Sequence, residues 1–484
     1  MLYLRWHSFF AFSAMDQTFT LNIPDIGKPR VAVIGGGFGG LNAVKALKGK
    51  GFQVVLFDKH NYHTFQPLLY QVATAELPAE SIASPLRHQF QHYENFHFRL
   101  QRVVGIDPAR QILLTEAGSL RYDYCIIAGG AKPNFFGNKE VEAYVMPMKS
   151  VPEALNFRSR LMQSLELASI TVDPAERKAM MSIALVGGGP TGVETAGALA
   201  ELKRQVLPKD YPTLDLQEMK IYLIEGLPRL LPSMSEKAGA RALKDLQKMG
   251  VLVNTSAMVQ TYDGRTLRFK DGSTIEVHTV VWTAGVTGES FPGLPGDWSE
   301  KGRILTDDHC RLLRAKNIFA IGDIALMKTD KYPKGHPGLA QVAIQMGKYV
   351  GMHLKKLYKG EEVAPFKYFD KGSLATIGRG KAVADLPGKH YFGGRPAWWI
   401  WLFIHINYLV SFRNKLLVFA SWVYNYFTFD KGNRLIIRPY VRKNDLFRVG
   451  DGRQEGIGVL PGVEAGVLDN DGDVGNEDAR IGKT

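Results

Sequence analysis

A chain of 484 residues can form two or three domains with sizeable cores, and its net charge of +13 favours anionic ligands or an anionic membrane surface. Two cysteines, Cys125 and Cys310, are too few for a disulfide framework, a zinc cage or an iron–sulfur cluster. The 12 histidines have no metal-ligand spacing and no nucleic-acid-binding motif accompanies the basic charge, so we expect neither metal nor nucleic acid.

The chain begins with an apolar stretch that contains a single arginine, Arg5, which makes a poor signal peptide. Met15 is a second candidate initiator. We therefore expect an N-terminal extension over residues 1–29, followed by a fold that resides in the cytoplasm.

A glycine fingerprint follows the first predicted strand, Val31–Ile34, and consists of Gly35, Gly37 and Gly40. A predicted helix then leads to a second apolar strand that ends in Asp58. In a dinucleotide-binding unit the first glycine allows a tight turn, the second lets backbone approach a pyrophosphate, and the third lets helix pack on strand. The order of these elements therefore predicts a nucleotide site.

A second copy of the fingerprint follows the predicted strand Ile183–Val186 and consists of Gly187, Gly189 and Gly192. Its second strand ends in Glu225, an acid that favours the ribose hydroxyls of NAD over the phosphate of NADP. Arg229 nearby leaves some tolerance of NADPH open. Two such units predict two bound dinucleotides, most simply FAD and NADH, and the alternative is a doubly wound fold with an empty site.

Several connecting segments carry further signals. Residues 61–74 bear aromatic and amide side chains and lead into a helix, whereas residues 96–107 and 111–115 predict a small β-meander. Two apolar strands end in Ala-Gly turns, at Ala128–Gly129 and Ala284–Gly285, where the chain would cross between nucleotide domains. A later strand delivers Asp323, whose carboxylate can accept hydrogen bonds from a polyol such as the FAD ribitol.

These features together resemble the flavoproteins of the disulfide-reductase type, which bind two dinucleotides. Three segments further resemble the type II NADH dehydrogenases: Asn61–Thr74, the Ala-Gln-Val-Ala-Ile-Gln stretch at Ala340–Gln345, and the aromatic C-terminal region. The resemblance covers Arg30–Tyr440. It implies that a single subunit transfers two electrons from NADH, through FAD, to a membrane quinone without pumping protons.

The resemblance also implies roles for individual residues. The catalytic residues would be Glu194, where nicotinamide, flavin and quinone meet, and Gln341 and Gln345, which would line the quinone pocket from a helix beginning near Gly338. The alternatives are helix capping by Glu194 and hydrogen bonds from the glutamines to neighbouring loops. The residues expected to bind FAD and NADH are Gly35, Gly37, Gly40, Asp58, Gln66, Ala128, Gly129, Asp323, Gln341, Gly187, Gly189, Gly192, Glu225 and Gly285.

The C-terminal region contains two very apolar runs, 398–412 and 416–429, separated by Arg413 and Lys415. The first run is shorter than the roughly 20 residues that span a bilayer. One side is polar at helical spacing and the rest is rich in tryptophan, tyrosine and phenylalanine, with basic residues following. This pattern predicts an interfacial membrane anchor. A buried helical hairpin, a dimer interface and a transmembrane helix are the alternatives.

The last residues, 446–484, are rich in glycine and acids and contain few apolar groups, so we predict a disordered tail. Asp469–Asp473 matches part of a calcium-binding loop, but Arg480 stands where that loop needs its glutamate.

The predicted fold class is α/β, with two Rossmann-like domains and a C-terminal membrane-association region. The predicted domains are the FAD domain at 30–150 and 290–362, the NADH domain at 151–289 and the C-terminal region at 363–445. We expect a homodimer on the cytoplasmic face of the bacterial inner membrane, with ubiquinone or menaquinone as acceptor. The alternatives are sulfide:quinone oxidoreductase, which needs redox cysteines near the flavin, a soluble NAD(P)H-dependent reductase of a protein acceptor, and an NADH-sensing flavoprotein.

Overall fold

The computed structural model describes residues 21–288, 291–428 and 430–442. The chain divides into two compact units. Among the described residues, the first unit comprises those within 21–64, 83–132 and 286–371, and the second comprises those within 65–82, 133–285 and 372–442. The predicted acidic tail and most of the predicted N-terminal extension lie outside the described residues.

The first unit is built on a large sheet with five parallel strands. From the edge inward these are Phe96–Leu100, Gln53–Asp58, Arg30–Ile34, Tyr124–Ile127 and Ala315–Ala320. Val31, Ala32 and Val33 have no exposed surface, because both faces of this parallel sheet are covered. The face that carries Ala32 packs against Ile106, Leu113 and Leu120. The predicted Rossmann-like unit is therefore present around the first glycine fingerprint.

The remaining elements of the first unit surround this sheet. The α-helices are Phe38–Leu47, Leu86–Gln89 and Ala340–Tyr358, and short 3-10 turns lie at Gly296–Trp298 and Gly322–Ile324. The other strands are Tyr62–Thr64, Ala83–Pro85, Val103–Asp107, Ile112–Thr115, Gly118–Arg121, Ala131–Pro133 (which runs on into the second unit), Val286–Gly288, Ser299–Glu300, Arg303–Thr306, Arg311–Leu312 and Ala325–Met327.

One predicted element of this unit is wrong. Phe96–Leu100 does not belong to a β-meander but is the outermost parallel strand of the large sheet. Its apolar and polar residues alternate, which is common to antiparallel strands and to an edge strand that is only partly covered, so this pattern does not separate the two. The meander consists of the three antiparallel strands between Val103 and Arg121.

The second unit contains a parallel sheet of the same design around the second fingerprint. Its strands run in the order Met146–Pro147, Thr279–Trp282, Ile183–Val186, Ile221–Ile224 and Leu252–Asn254. A three-stranded meander precedes its crossover strand, as in the first unit, and consists of Val259–Tyr262, Thr266–Phe269 and Thr274–Glu276. The two halves of the chain therefore repeat one topology.

The meander packs on one face of this second sheet, where Tyr262, Leu267 and Phe269 join its core. The second unit also contains helices and a C-terminal layer. The helices are Gln66–Leu68 (3-10), Leu69–Ala73, Ala79–Ile82, Lys139–Tyr144, Val151–Ile170, Pro174–Met181, Pro190–Gln205, Leu207–Asp210, Glu236–Lys248, Arg395–Tyr408 and Phe412–Thr428. The C-terminal strands are Ser373–Gly378, Lys381–Leu386 and His390–Gly393, which form an antiparallel sheet.

The two C-terminal helices differ from the sequence prediction in where they break. The break lies at residues 409–411 and not at Arg413 and Lys415, because the Ser411 hydroxyl accepts a hydrogen bond from the Asn414 N–H at 3.1 Å and starts the second helix. Within the described residues, no helix has both the length and the apolar character required to cross a bilayer.

Close backbone packing attaches the C-terminal sheet to the rest of the second unit. A Cβ atom at Gly197, in the helix Pro190–Gln205, would lie 1.8 Å from the Ile377 carbonyl oxygen. Only glycine permits this approach, which brings the strand Ser373–Gly378 against the helix that follows the second fingerprint.

We therefore expect Gly197→Ala to lower the free energy of unfolding by at least about 2 kcal/mol, as measured by urea denaturation. The backbone collision outweighs the gain of about 1 kcal/mol that alanine brings to a helix interior. Gly189→Ala is the matched control, since no described atom lies within 4 Å of a Cβ there. Equal stability of both variants and the parent would contradict the packing argument.

Candidate functional site

The first fingerprint forms a turn that only glycine can build. Gly35 has a φ of +97°, and a Cβ there would lie 2.4 Å from the Ala128 carbonyl oxygen. A Cβ at Gly40 would lie 1.8 Å from the Gly35 carbonyl oxygen. At Gly37, in contrast, no described atom lies within 4 Å of a Cβ. The middle glycine therefore faces open space beside the start of a helix.

That helix, Phe38–Leu47, begins without a capping side chain among the described residues. The dipole of such a helix favours an anion at its N-terminus. Open space at Gly37 together with an uncapped helix N-terminus fits a dinucleotide pyrophosphate. The geometry fits the phosphates of FAD.

Asp58 closes the first nucleotide unit. Its two carboxylate oxygens accept hydrogen bonds from the N–H groups of Gly36, at 2.5 Å, and His60, at 2.7 Å. Burial raises the pKa of Asp58, and these two bonds oppose the shift. Behind the same loop, the imidazole of His63 hydrogen-bonds to the Gly36 carbonyl oxygen at 2.9 Å. Because burial lowers the pKa of His63 to about 4, this ring is neutral at pH 7.

The other residues predicted for FAD also lie in the first unit. The Ala128–Gly129 turn follows the strand Tyr124–Ile127 and abuts Gly35. Asp323 lies in the turn that follows Ala315–Ala320, where a Cβ at Gly338 would come within 3.4 Å of its carboxyl carbon. The carboxylate therefore stands beside the start of the late helix Ala340–Tyr358.

The late helix is held tightly against the first helix of this unit. A Cβ at Gly347 would lie 2.2 Å from the Gly39 carbonyl oxygen, and one at Gly351 would lie 2.6 Å from that of Ala43. Sequence reasoning missed this pair of glycines, although their spacing of four residues is a known signal for close helix packing. The packing determines the position of the N-terminus of the late helix relative to the first fingerprint.

The second fingerprint has the same pattern of tight and open glycine positions as the first. Gly187 has a φ of +117°, and a Cβ there would lie 2.7 Å from the Ala284 nitrogen. A Cβ at Gly192 would lie 1.9 Å from the Gly187 carbonyl oxygen, whereas no described atom lies within 4 Å at Gly189. No described side chain caps the following helix. The shape of this turn therefore fits a second pyrophosphate.

Glu225 occupies the position that corresponds to Asp58. Its two oxygens accept hydrogen bonds from the N–H groups of Gly188, at 2.6 Å, and Leu227, at 2.8 Å. Arg229 is engaged elsewhere, because its guanidinium donates to the carbonyl oxygens of Leu231, Pro232 and Met234. The site therefore presents an acid, and not this arginine, toward a ribose 2′ position.

Glu194 lies one turn into the helix Pro190–Gln205 and is only 8% exposed. It accepts a hydrogen bond from the Thr376 N–H at 3.4 Å. Burial raises the pKa of Glu194 to about 8, although the Thr376 N–H and the Trp401 indole oppose the shift. The side chain does not cap its helix, so the capping alternative is wrong, and a buried carboxyl that is protonated at pH 7 can donate a proton.

The two predicted quinone-pocket glutamines lie one turn apart on the late helix. The Gln345 amide donates to the Phe369 carbonyl oxygen at 2.8 Å and accepts from the Phe369 N–H at 2.9 Å. The Gln341 oxygen accepts from the Lys371 N–H at 3.0 Å. Both side chains thus bind the neighbouring segment, which is the alternative that the sequence left open. Their role toward quinone stays a prediction.

The structure separates the predicted site residues into two groups. Gln345 and eight other predicted residues lie in the first unit. The second unit contains Gln66, Glu194, Glu225, Gly285 and the glycines of the second fingerprint. Gln66 donates to the Lys149 carbonyl oxygen at 3.4 Å, and Gly285 has a φ of +81°. The eight residues of the first unit are Gly35, Gly37, Gly40, Asp58, Ala128, Gly129, Asp323 and Gln341.

The last helix, Phe412–Thr428, exposes a row of large apolar side chains. Asn414, Val418 and Trp422 are buried, and Asn425 donates to the Glu76 carbonyl oxygen at 3.1 Å. The exposed stripe is instead apolar and follows helical spacing. It consists of Phe412, Leu416, Phe419, Val423 and Phe427, each between 41% and 80% exposed, and we call it the aromatic stripe.

Comparison with known proteins agrees with this geometry. The family model of pyridine nucleotide-disulphide oxidoreductases matches residues 29–347, and that of the NDH2 C-terminal domain matches residues 371–429. The fold is similar to that of NDH2 from Plasmodium falciparum in complex with NADH (TM-score 0.77, 21% identity, 85% of this chain and 100% of the other). It is also similar to sulfide:quinone oxidoreductase from Aquifex aeolicus (TM-score 0.63, 19% identity, 85% and 96%).

Two curated relatives are similar along most of their length. The type II NADH:quinone oxidoreductase NdhA of Mycobacterium tuberculosis is 37% identical over 414 residues, which cover 82% of this chain and 87% of the relative. The Haemophilus influenzae type II NADH:quinone oxidoreductase is 30% identical, over 76% and 88%. The predicted fold class and family are therefore confirmed: this chain belongs to the type II NADH:quinone oxidoreductases.

Proposed function

We propose that this protein transfers two electrons from NADH, through FAD, to a membrane quinone without pumping protons. The balanced reaction is NADH + quinone + H⁺ → NAD⁺ + quinol. The observation that carries the proposal is the 37% identity to a type II NADH:quinone oxidoreductase. The chain also contains two glycine fingerprints, each with open space at its middle glycine.

For FAD we propose the first unit, within a domain formed by residues 30–150 and 290–362. The start of the helix Phe38–Leu47 would receive the pyrophosphate, Asp58 the adenosine ribose and Asp323 the ribitol. When bound, FAD supplies the capacity to accept a hydride and to pass on two electrons. The protein positions the flavin and excludes water from it.

For NADH we propose the second unit, within a domain formed by residues 151–289. Glu225 would accept hydrogen bonds from the ribose hydroxyls, and a 2′-phosphate would meet its negative charge without help from Arg229. This arrangement supports a preference for NADH over NADPH.

For the quinone we propose that Gln341 and Gln345 act by holding the segment Phe369–Lys371 in place beside the late helix. We propose that Glu194 supplies a proton to the quinone. Below a pH of about 8 its carboxyl carries the proton and can give it to a quinone oxygen, whereas above that pH it is a carboxylate and cannot.

For the C-terminal region, predicted to extend over residues 363–445, we propose attachment to the membrane surface through the aromatic stripe. The stripe presents five large apolar side chains, and Arg413 and Lys415 on the same helix can meet anionic headgroups. We further propose that the protein is a homodimer on the cytoplasmic face of the bacterial inner membrane. Two buried free thiols, Cys125 and Cys310, agree with a reducing compartment.

The three alternative functions each require a different feature. A soluble reductase of a protein acceptor has no need of the aromatic stripe, and an NADH-sensing flavoprotein would form a stable reduced complex in place of turning over. Sulfide:quinone oxidoreductase chemistry needs accessible redox cysteines, whereas both cysteines here are buried.

The function is tested with the purified FAD-loaded protein under argon, by following the flavin absorbance band. We expect NADH to bleach the band and a soluble quinone to restore it with steady turnover. Bleaching without restoration by quinone would overturn the acceptor assignment and favour a protein acceptor or a sensing role.

Glu194→Gln should reduce turnover with quinone by about 10²-fold, because the amide keeps the shape of the carboxyl but cannot donate its proton. FAD content and bleaching by NADH should be retained. The parent should lose turnover above a pH of about 8, following the raised pKa of Glu194. The variant should lack this alkaline limb. An unchanged rate and an unchanged pH profile would remove Glu194 from the proton path.

The aromatic stripe is tested with Leu416→Glu and Phe427→Glu together. Co-sedimentation with anionic phospholipid vesicles should fall at least tenfold, whereas turnover with a soluble quinone should persist, because both side chains are exposed. Val172→Glu is the matched control, since Val172 is 89% exposed but lies on another surface. Equal vesicle binding by all variants would show that the stripe is not the anchor.

A further inference from the structure

The second unit exposes an aromatic ring to which the function proposed above assigns no role. The ring belongs to Phe136, which is 68% exposed in the loop before the helix Lys139–Tyr144. The neighbouring Phe135 instead packs against the core of this unit. Exposure alone would need no explanation, because single apolar side chains are common on protein surfaces. The backbone and the position of Phe136 are what distinguish it.

The backbone of Phe136 is strained. Its φ is +53°, in the left-handed region that a bulky residue rarely adopts, because its Cβ crowds the following carbonyl oxygen. Hydrogen bonds hold the loop in place: the Asn134 side chain accepts from the Phe136 N–H at 2.9 Å, and the Asn134 N–H donates to the Gly285 carbonyl oxygen at 3.3 Å. The Trp282 indole also donates to the Asn134 carbonyl oxygen at 2.9 Å. Residues strained in this way are concentrated at ligand-binding sites.

The ring of Phe136 lies directly on Gly285. A Cβ at this glycine would lie 2.9 Å from the Phe136 Cζ. The residue before the glycine, Ala284, abuts the second fingerprint, since a Cβ at Gly187 would lie 2.7 Å from the Ala284 nitrogen. The ring therefore stands beside the turn that fits the pyrophosphate of NADH, where open space surrounds Gly189.

The strand order indicates which half of NADH reaches this ring. The strand Ile183–Val186 leads into the pyrophosphate turn, and the parallel strand Ile221–Ile224 beside it leads to Glu225, the acid for the adenosine ribose. The strand Thr279–Trp282 lies on the other side, is also parallel, and leads to Gly285. The nicotinamide half extends from the pyrophosphate away from the adenosine. It must therefore point toward Gly285 and the ring that covers this glycine.

The first unit has a phenylalanine at its corresponding turn but places it differently. A Cβ at Gly129 would lie 3.0 Å from the Phe291 Cζ, and Phe291 packs against the core of that unit. Contact with the glycine therefore does not require an exposed ring. The exposed ring of Phe136 belongs instead to the unit that we assign to NADH, the dinucleotide that enters and leaves in each catalytic cycle.

We propose that Phe136 is a clamp for the nicotinamide half of NADH: its ring covers one side of that half and loses its exposure to water when NADH binds. This inference rests on the proposed function, because it concerns the site that we assign to NADH. Apolar contact with the ring contributes affinity. Its position on the far side of the pyrophosphate from Glu225 confines this contribution to the nicotinamide half.

The test is isothermal titration calorimetry of the FAD-loaded protein with NAD⁺, which binds without reducing the flavin, and with ADP, which lacks the nicotinamide half. In Phe136→Asn the dissociation constant of NAD⁺ should rise about tenfold, whereas that of ADP should stay within about twofold of the parent value. Asparagine tolerates the left-handed backbone, so this change removes only the ring. The NADH concentration that gives half of the maximal rate of flavin bleaching should rise by the same factor.

Two further variants separate loss of the ring from loss of structure. Phe136→Tyr keeps an aromatic ring and should retain the parent dissociation constant for NAD⁺. Leu252→Asn is the matched control and should also bind NAD⁺ as the parent does. Leu252 is 43% exposed, but it begins a parallel strand and thus lies at the opposite edge of the same sheet.

Equal affinity of the parent and Phe136→Asn for NAD⁺ would overturn the inference. Equal weakening of NAD⁺ and ADP would also overturn it, because the ring would then not act on the nicotinamide half. A parent that binds NAD⁺ but does not reduce quinone would reject the proposed function alone, while the two dissociation constants would still report on the clamp.

Discussion

The rest of the structure depends on one backbone approach that occurs twice. In each nucleotide unit, the helix after the fingerprint lies directly on the carbonyl oxygen of the first glycine, with no room for a Cβ at Gly40 or Gly192. This approach aims an uncapped helix N-terminus past the middle glycine, which stands over open space. The acids Asp58 and Glu225 then hydrogen-bond to the same loops. Backbone packing therefore shapes each phosphate-binding turn. The same packing positions the acid, Asp58 or Glu225, at the edge of the turn.

A third close approach connects the second phosphate-binding turn to the C-terminal region. Gly197 admits the Ile377 carbonyl oxygen against the helix that carries Glu194, and the N–H of the preceding strand residue, Thr376, donates to the Glu194 carboxyl. Burial raises the pKa of Glu194, whereas the hydrogen bond from the Thr376 N–H opposes the shift. Burial thus gives a helical glutamate the properties of a proton donor near neutral pH.

The C-terminal helices connect this chemistry to a surface. On the inner side, Asn414 is buried beside Val418 and Trp422, and the Trp422 indole donates to Gln71. On the outer side, the last helix exposes the aromatic stripe. An exposed apolar surface of this kind favours contact with another apolar phase. The region thereby buries Glu194 on one side and offers the aromatic stripe on the other.

The sequence by itself determined the two nucleotide units, their terminal acids and the family. This was possible because the steric demands of a phosphate-binding turn are local and are written in glycine spacing. It also identified the late helix and the two faces of the C-terminal region. Only the tertiary structure decided that Phe96–Leu100 joins the parallel sheet, that Gln345 binds the Phe369 backbone and that Lys431 pairs with Glu76. Those outcomes depend on segments far apart in the chain, and no local pattern encodes which partner a strand edge, an amide or a buried ammonium group will meet.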